Sequence, residues 1–275
     1  MNIAFKKLKF YYRKIEMVTK IEQKMEILFG FFGSLVSVIL LIVAAFISPG
    51  YSPFKHTVSS LGTREAKSLF SICFVIGGSL CIPFYIYLER ELINIKEGVR
   101  RIATGVSIFT SVCIALVGII PDETYWDIFI LFHGFVALFS FIGSAIYIVL
   151  YSYLMYMVPK VKMYEGPKFK KYLAYFGFVI GGILIMLLIT LEPIIEWILT
   201  ISIYLWIILT ALSLVSHKFF YLPGEYYKRT QYPEALKKFE DALSILSDLD
   251  LSEEPITETL KENIEFLKKQ LETEI

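Results

Sequence analysis

The chain has 275 residues, of which 56% are hydrophobic and only 19% charged. Soluble globules run nearer to roughly 45–50% and 25%, so a soluble domain of this size is excluded. The net charge of +1 hides an uneven distribution, because the 27 Lys+Arg and 26 Asp+Glu gather at the two ends and in short connecting stretches.

Residues 1–26 form the first expected element. Leu8, Tyr11, Tyr12, Ile15, Val18, Ile21 and Met25 recur at helical spacing, with Lys6, Lys7, Lys9, Arg13, Lys14, Lys20 and Lys24 beside them. Seven cations against three acids give the stretch a charge of +4. That is the pattern of a basic amphipathic helix, expected to lie on an anionic leaflet before the chain turns into the membrane. The first apolar run starts only after these 26 residues and has no small-residue cleavage site, so it is read as a retained span.

A bilayer core about 30 Å thick takes roughly 20 residues of helix. Six runs of that length follow, at 27–47, 68–88, 102–120, 128–158, 172–191 and 195–216, and Glu196 is the one charged residue within them. The fourth is longer than a bilayer needs and is expected to tilt or project. Tyr147, Tyr151, Tyr153 and Tyr156 near its end read as an interfacial aromatic belt. Cys73, Cys81 and Cys113 fall inside spans without paired spacing and are expected as small apolar packing groups. Gly177 and Gly181 form a GxxxG pair, and Gly77 and Gly78 offer similar room, so close helix approach is expected at both places. The word FVIGG occurs at 74–78 and again at 178–182, an offset of 104, which raises the idea of two inverted three-span halves.

After residue 216 the composition reverses. Residues 217–275 hold eight Lys/Arg against thirteen Asp/Glu, a net of −5. Ala235, Leu236, Phe239, Ala242, Leu243 and Leu246 mark one apolar helical stripe behind Pro233, and Leu260, Ile264, Leu267 and Leu271 mark a second. A helical hairpin is expected. The segment YYKRTQYPEALKKFEDAL resembles a tetratricopeptide unit, with Tyr226, Ala235, Phe239 and Ala242 at matching spacings. The tail has room for at most one and a half such units, fewer than the three or so that bury a continuous face. Tyr226, Phe239 and Leu243 are therefore expected to offer a surface to a protein partner.

Lys and Arg number 7 before the first span, then 3, 4, 0, 5 and 0 in the successive connections. The positive-inside rule then places both termini and the second and fourth connections in the cytoplasm, with the other three facing out. The whole reads as an all-α, polytopic cell-membrane protein: a basic surface helix at 1–26, a six-span bundle at 27–216 and an acidic cytoplasmic tail at 217–275. Membrane lipid is the expected surrounding partner, and no nucleic acid is expected.

No charged residue lies at a span centre, which argues against an ion pump, a charged-substrate carrier or a voltage sensor. Three histidines are too few and too dispersed for a haem-carrying bundle, and no Walker loop, dinucleotide glycine pattern or His-Glu-x-x-His occurs. No cofactor is assigned. The polar residues of the outward face are the remaining candidates. Ser60, Asp122 and His133 offer a nucleophile, an orienting acid and a base for ester hydrolysis. Equally, His56, Asp122 and His133 can hold a zinc ion with an open position for water. Such groups at an interface also serve simply as helix caps and loop ties.

The six spans, the words SSLG at 59–62 and IIPD at 119–122, and His133 eleven residues after Asp122 together resemble the membrane family named domain of unknown function 998, itself similar in outline to the Frag, DRAM and Sfk proteins. That resemblance covers about residues 27–216. It implies a six-helix bundle, sets Ser60, Gly62, Asp122 and His133 among its matched positions, and supplies no activity. The expected function is a membrane scaffold or sensor with a protein-binding tail. A lipid-acting hydrolase at the outer face and a carrier of a neutral or lipidic solute rank behind it.

Overall fold

In the computed structural model the described residues are 2–93, 95–120, 127–161, 164 and 166–217, with scattered positions between 236 and 268; side chains are described from residue 24 onward. The described residues contain no strand. Six long helices account for almost all of them: α1 (Asn2–Ile47), α2 (Lys67–Glu91), α3 (Glu97–Ile119), α4 (Asp127–Met157), α5 (Lys171–Thr190) and α6 (Pro193–Ser216). Each contains a stretch long and apolar enough to cross a membrane. Consecutive helices pack side by side from α1 through α5, as short connections require of antiparallel neighbours.

Helix ends run past the charge-free windows, because Lys, Arg and Glu are good helix formers. Thus α2 continues to Glu91 and α3 begins at Glu97. For the same reason α1 is one helix of 46 residues, about 69 Å at the standard rise. No proline and no glycine before Gly30 interrupts it, so the basic segment and the first span share one axis, with no turn between them. α4, at 31 residues, has the extra length expected of it.

We call the end of the bundle that bears Glu26 of α1 and Glu91 of α2 proximal, and the end bearing connections 48–66 and 191–192 distal. Large apolar side chains such as Phe46, Ile128 and Ile189 are exposed around the outside, the surface a hydrocarbon phase would cover. Inside, helices approach at glycines. A Cβ built at Gly78 would fall 2.5 Å from the Ser111 carbonyl oxygen, and one at Gly118 would fall 2.6 Å from that of Ser71. α2 and α3 therefore touch backbone to backbone. Gly177 and Gly181 seat Ser152 and Val149 of α4 against α5, as the GxxxG spacing predicts. The second FVIGG differs from the first in its surroundings, since Gly182 faces open space where Gly78 meets α3.

α6 is the most enclosed helix, with half of its apolar window buried against 28% in α4 and α5. It fills the centre with bulk rather than close backbone approach: Trp197, Tyr204 and Trp206 are all buried. The tyrosines of α4 correct one expectation. Tyr147 and Tyr151 are fully buried, not interfacial, because their four-residue spacing turns both rings onto one inward face. The Tyr85 hydroxyl donates to Tyr147 at 2.6 Å, and the Tyr151 hydroxyl meets Thr104 at 2.9 Å. Tyr156 stays half-exposed, with Lys160 over its ring, as a belt residue would be.

The chain divides into two contact units, Met1–Val215 and Ser216–Ile275. Described residues of the second are helical, and Lys268 pairs with Glu240 at 3.0 Å. Leu243 is helical and half-buried, whereas Tyr226 and Phe239 lie outside the described residues.

Backbone contact at glycine yields a paired prediction. Gly78→Ala forces α2 and α3 apart and is expected to cost about 1–3 kcal/mol. Gly105→Ala, whose Cβ would meet nothing within 4 Å, is expected to change stability by less than about 1 kcal/mol. Thermal unfolding of the detergent-solubilised chain, followed by circular dichroism, separates the two.

Candidate functional site

The distal end is organised by a two-residue turn and a tethered loop. Leu191, in the left-handed region at φ 52, closes α5 by donating its N–H to the Leu187 carbonyl at 2.8 Å. Pro193 then opens α6, its fixed φ suiting the first helical position. This sets Glu196 and Trp197 in the first turn of α6, both facing inward: Glu196 is 8% exposed and Trp197 4%.

The 48–66 connection folds down onto them. Its hub is Tyr51, whose hydroxyl accepts the Trp197 indole N–H at 2.8 Å and donates to the Thr57 carbonyl at 2.8 Å. The ring stacks on His56 at 5.3 Å and carries the Arg64 guanidinium at 5.2 Å. Burial pushes the Tyr51 hydroxyl up to about 12, so it remains a donor at any physiological pH. The short 3-10 helix Ser59–Thr63 buries Leu61 and Gly62, with Gly62 under the Phe70 ring. Its first backbone N–H, that of Ser59, points at the Glu196 carboxylate at 3.4 Å.

The sequence-derived candidates occupy separate places. The Ser60 hydroxyl donates to the Thr57 carbonyl at 2.8 Å, so it acts as a turn former. His56 accepts the Ser52 N–H on Nδ1 at 3.1 Å. His133, 4% exposed, places Nδ1 at 2.7 Å from the Ile120 carbonyl. A carbonyl only accepts, so Nδ1 carries a proton. That arrangement ties the start of α4 to the end of α3, and it leaves Nε2 buried without a partner. Asp122 lies outside the described residues. Among the described residues no three His, Cys, Asp or Glu side chains are grouped to hold a metal ion, and Ser60 does not bond to His133.

The structure instead assembles a site that motif reading missed. Beneath Val58 and Ser59 lies a narrow cavity of about 30 Å³ between α2, α3, α4 and α6. Ser140 and Ser144 of α4 face Glu196, Thr200 and Tyr204 of α6 across it. Phe74, Ile114, Val117, Phe141 and Ile203 supply its apolar wall. Of these lining residues, Ser144 and Tyr204 have hydroxyls buried without a well-formed hydrogen bond; that of Ser144 lies beside Tyr147, and that of Tyr204 beside Ser37 and Cys73 and against Gly77. Signals for this site were present in the sequence: the lone acid in six apolar runs, and four-residue spacings of hydroxyl residues in α4 and α6.

Such a cavity can bind a ligand. It offers a carboxylate, several hydroxyls and an apolar wall. The Tyr51 tether generates a prediction. Tyr51→Phe leaves the buried Trp197 N–H without its acceptor, which costs about 1–3 kcal/mol locally. Trypsin cleavage after the exposed Lys55 is expected to accelerate several-fold, read from the appearance of the fragment by mass spectrometry.

No curated protein and no solved structure matches the chain. A family model described as "Protein of unknown function (DUF998)" matches residues 31–213, which takes in every residue lining the distal cavity. The chain belongs to the DUF998 membrane family, and its candidate site lies within the part that defines membership.

Proposed function

We propose that this protein is a cell-membrane sensor that binds an amphipathic ligand in the distal cavity of its six-helix bundle. One observation carries the reading: a buried carboxylate and the buried Ser144 hydroxyl, which has no well-formed hydrogen bond, share one cavity with an apolar wall. A buried hydroxyl left without a partner costs about 1–3 kcal/mol, and a ligand that satisfies it recovers that cost. The mixture of a few placed polar groups with apolar lining is the usual make-up of a small-molecule site.

Orientation follows from charge. The 7, 4 and 5 Lys/Arg of the N-terminal segment and the proximal connections, against 3, 0 and 0 distally, support cytoplasmic termini and an outward-facing cavity. The acidic tail, with its apolar stripes at 235–246 and 260–271, is then the cytoplasmic output element, and a protein partner is its proposed reader. Tetratricopeptide-like spacing supports that role, and so does the net charge of −5, which favours a basic partner.

Two measurements test this reading. A membrane-impermeant maleimide is expected to label Lys55→Cys in intact cells, and Lys168→Cys only after permeabilisation; the reverse order overturns the orientation. Ala137→Trp, placed on the cavity wall, is expected to abolish the ligand adduct seen by native mass spectrometry on the wild-type chain in nanodiscs. An adduct retained by that variant moves the site elsewhere.

A further inference from the structure

The hydrogen-bond inventory of the cavity narrows the ligand further. The Ser140 hydroxyl donates to the Val136 carbonyl at 2.7 Å, and the Thr200 hydroxyl to the Glu196 carbonyl at 2.8 Å. A hydroxyl has one donor and two acceptor lone pairs, so both residues present acceptors only to the cavity they line. The Glu196 carboxylate is likewise acceptor-only when ionised. Its contacts are with the 58–59 segment, and among the described residues no Lys or Arg pairs with it. Three acceptor groups, one of them a carboxyl that no Lys or Arg pairs with among the described residues, thus line one small space.

We propose that the ligand is a protonated primary amine borne on an apolar body, with its ammonium group on Glu196, Ser140 and Thr200. This rests on the cavity reading above and deepens it. An ammonium carries three N–H donors and no acceptor, which matches the three acceptor groups in number and the carboxylate in charge. An alcohol has a single donor for the same three groups. A carboxylate head would meet like charge and no donor from these three. A quaternary ammonium matches the charge and has no N–H to give.

Size agrees with this assignment. The cavity, about 30 Å³, is far below the roughly 300 Å³ of a pocket that encloses a whole ligand, so it admits a head group and not a whole amphiphile. The apolar body must therefore run along the wall of Phe74, Ile114, Val117, Phe141 and Ile203. Phe74 and Val117 belong to a buried apolar cluster that also contains Leu61 of the 48–66 connection, so the tethered connection and the ligand's wall are parts of one packed unit.

The test uses the full-length chain in nanodiscs, with a cysteine introduced by Ala137→Cys on the cavity wall and the unmodified chain, whose three cysteines are buried, as background. Alkylation rates are compared with n-octylamine, 1-octanol, octanoate and octyltrimethylammonium, each at matched content in the nanodisc. Octylamine at about ten times its dissociation constant is expected to slow labelling about tenfold, the fraction of cavities left empty. The other three are expected to protect far less. Glu196→Gln in the same background is expected to raise the octylamine needed by about tenfold or more, as loss of a charge-assisted bond implies.

Equal protection by octanol or octanoate overturns the amine assignment and leaves the amphiphile cavity standing. Equal protection by octyltrimethylammonium overturns the donor match. Protection by sodium ions alone assigns the site to an inorganic cation and likewise overturns the proposal. No protection by any of the four amphiphiles brings down the cavity reading as well. The head-group order is read with Glu196 intact, so it holds even where Glu196→Gln fails to fold.

Discussion

A chain that crosses a bilayer six times has nowhere to place a polar side chain except against itself. Hydrocarbon offers no hydrogen bonds, so each such group in a span must find a partner inside the bundle or remain costly. The serines and threonines of these helices obey that constraint. Ser37, Thr104, Ser107, Ser140, Ser144, Ser152, Thr200 and Thr210 are all buried, while Phe, Ile and Leu occupy the outside. Most of these hydroxyls are satisfied at no cost to packing, by donating to the carbonyl one turn back, as Thr104, Ser140, Thr200 and Thr210 do. Others bind across helices, as Ser37 does to the Cys73 carbonyl at 2.8 Å. These bonds and the glycine contacts are how neighbouring helices are held where lipid provides no hydrophobic drive to associate.

The same constraint makes α6 the axis of the molecule. Its tryptophans and tyrosines carry both a large apolar body and one polar handle. Trp197 reaches the distal connection through Tyr51, Tyr204 reaches the α1–α2 seam at Ser37, Cys73 and Gly77, and Trp206 lies over Tyr151 at 6.5 Å. One helix thereby touches three levels of the bundle. Close backbone contact at Gly78 and Gly118 fixes α2 on α3, while α6 is set by side-chain volume, and a helix set that way leaves gaps. The distal cavity is one of them.

Sequence reading was most successful where the physics is one-dimensional. Apolar length and charge placement located six spans to within a few residues, and the shortfall at each end arose because charge ends a hydrophobic window without ending a helix. GxxxG spacing predicted the α4–α5 contact for a local reason. Reading failed where the outcome depended on which way a side chain faces. Tyr147 and Tyr151 have the composition of an interfacial belt, and only their shared face toward Tyr85 shows them to be core. SSLG drew attention as a family word and as the source of Ser60, a candidate nucleophile. Its physical work is a buried 3-10 turn that brings the Ser59 N–H to Glu196. Glu196 itself lay in view as the one acid inside the spans, but its importance depends on Ser140 and Ser144, more than fifty residues away in the chain.

The two ends of the bundle differ in how completely their polar groups are matched. At the proximal end charge meets charge: Arg100 donates to the Glu89 carboxylate at 3.1 Å and to the Glu89 carbonyl, Arg90 pairs with Glu26, and Tyr87 bonds to Glu91. Mid-bundle hydroxyls without partners, those of Thr110 and Ser152, are pressed against Gly143 and Gly177, so no room exists for anything to satisfy them. At the distal end the Tyr204 hydroxyl is pressed against Gly77 in the same way, whereas the Ser144 hydroxyl borders a cavity, alongside a carboxylate that no Lys or Arg pairs with among the described residues. Packing against glycine accounts for Thr110, Ser152 and Tyr204 and does not extend to Ser144. A polar group that is buried, unmatched and next to empty space is stabilised by whatever fills that space, which is why the proposed ligand is placed in the distal cavity.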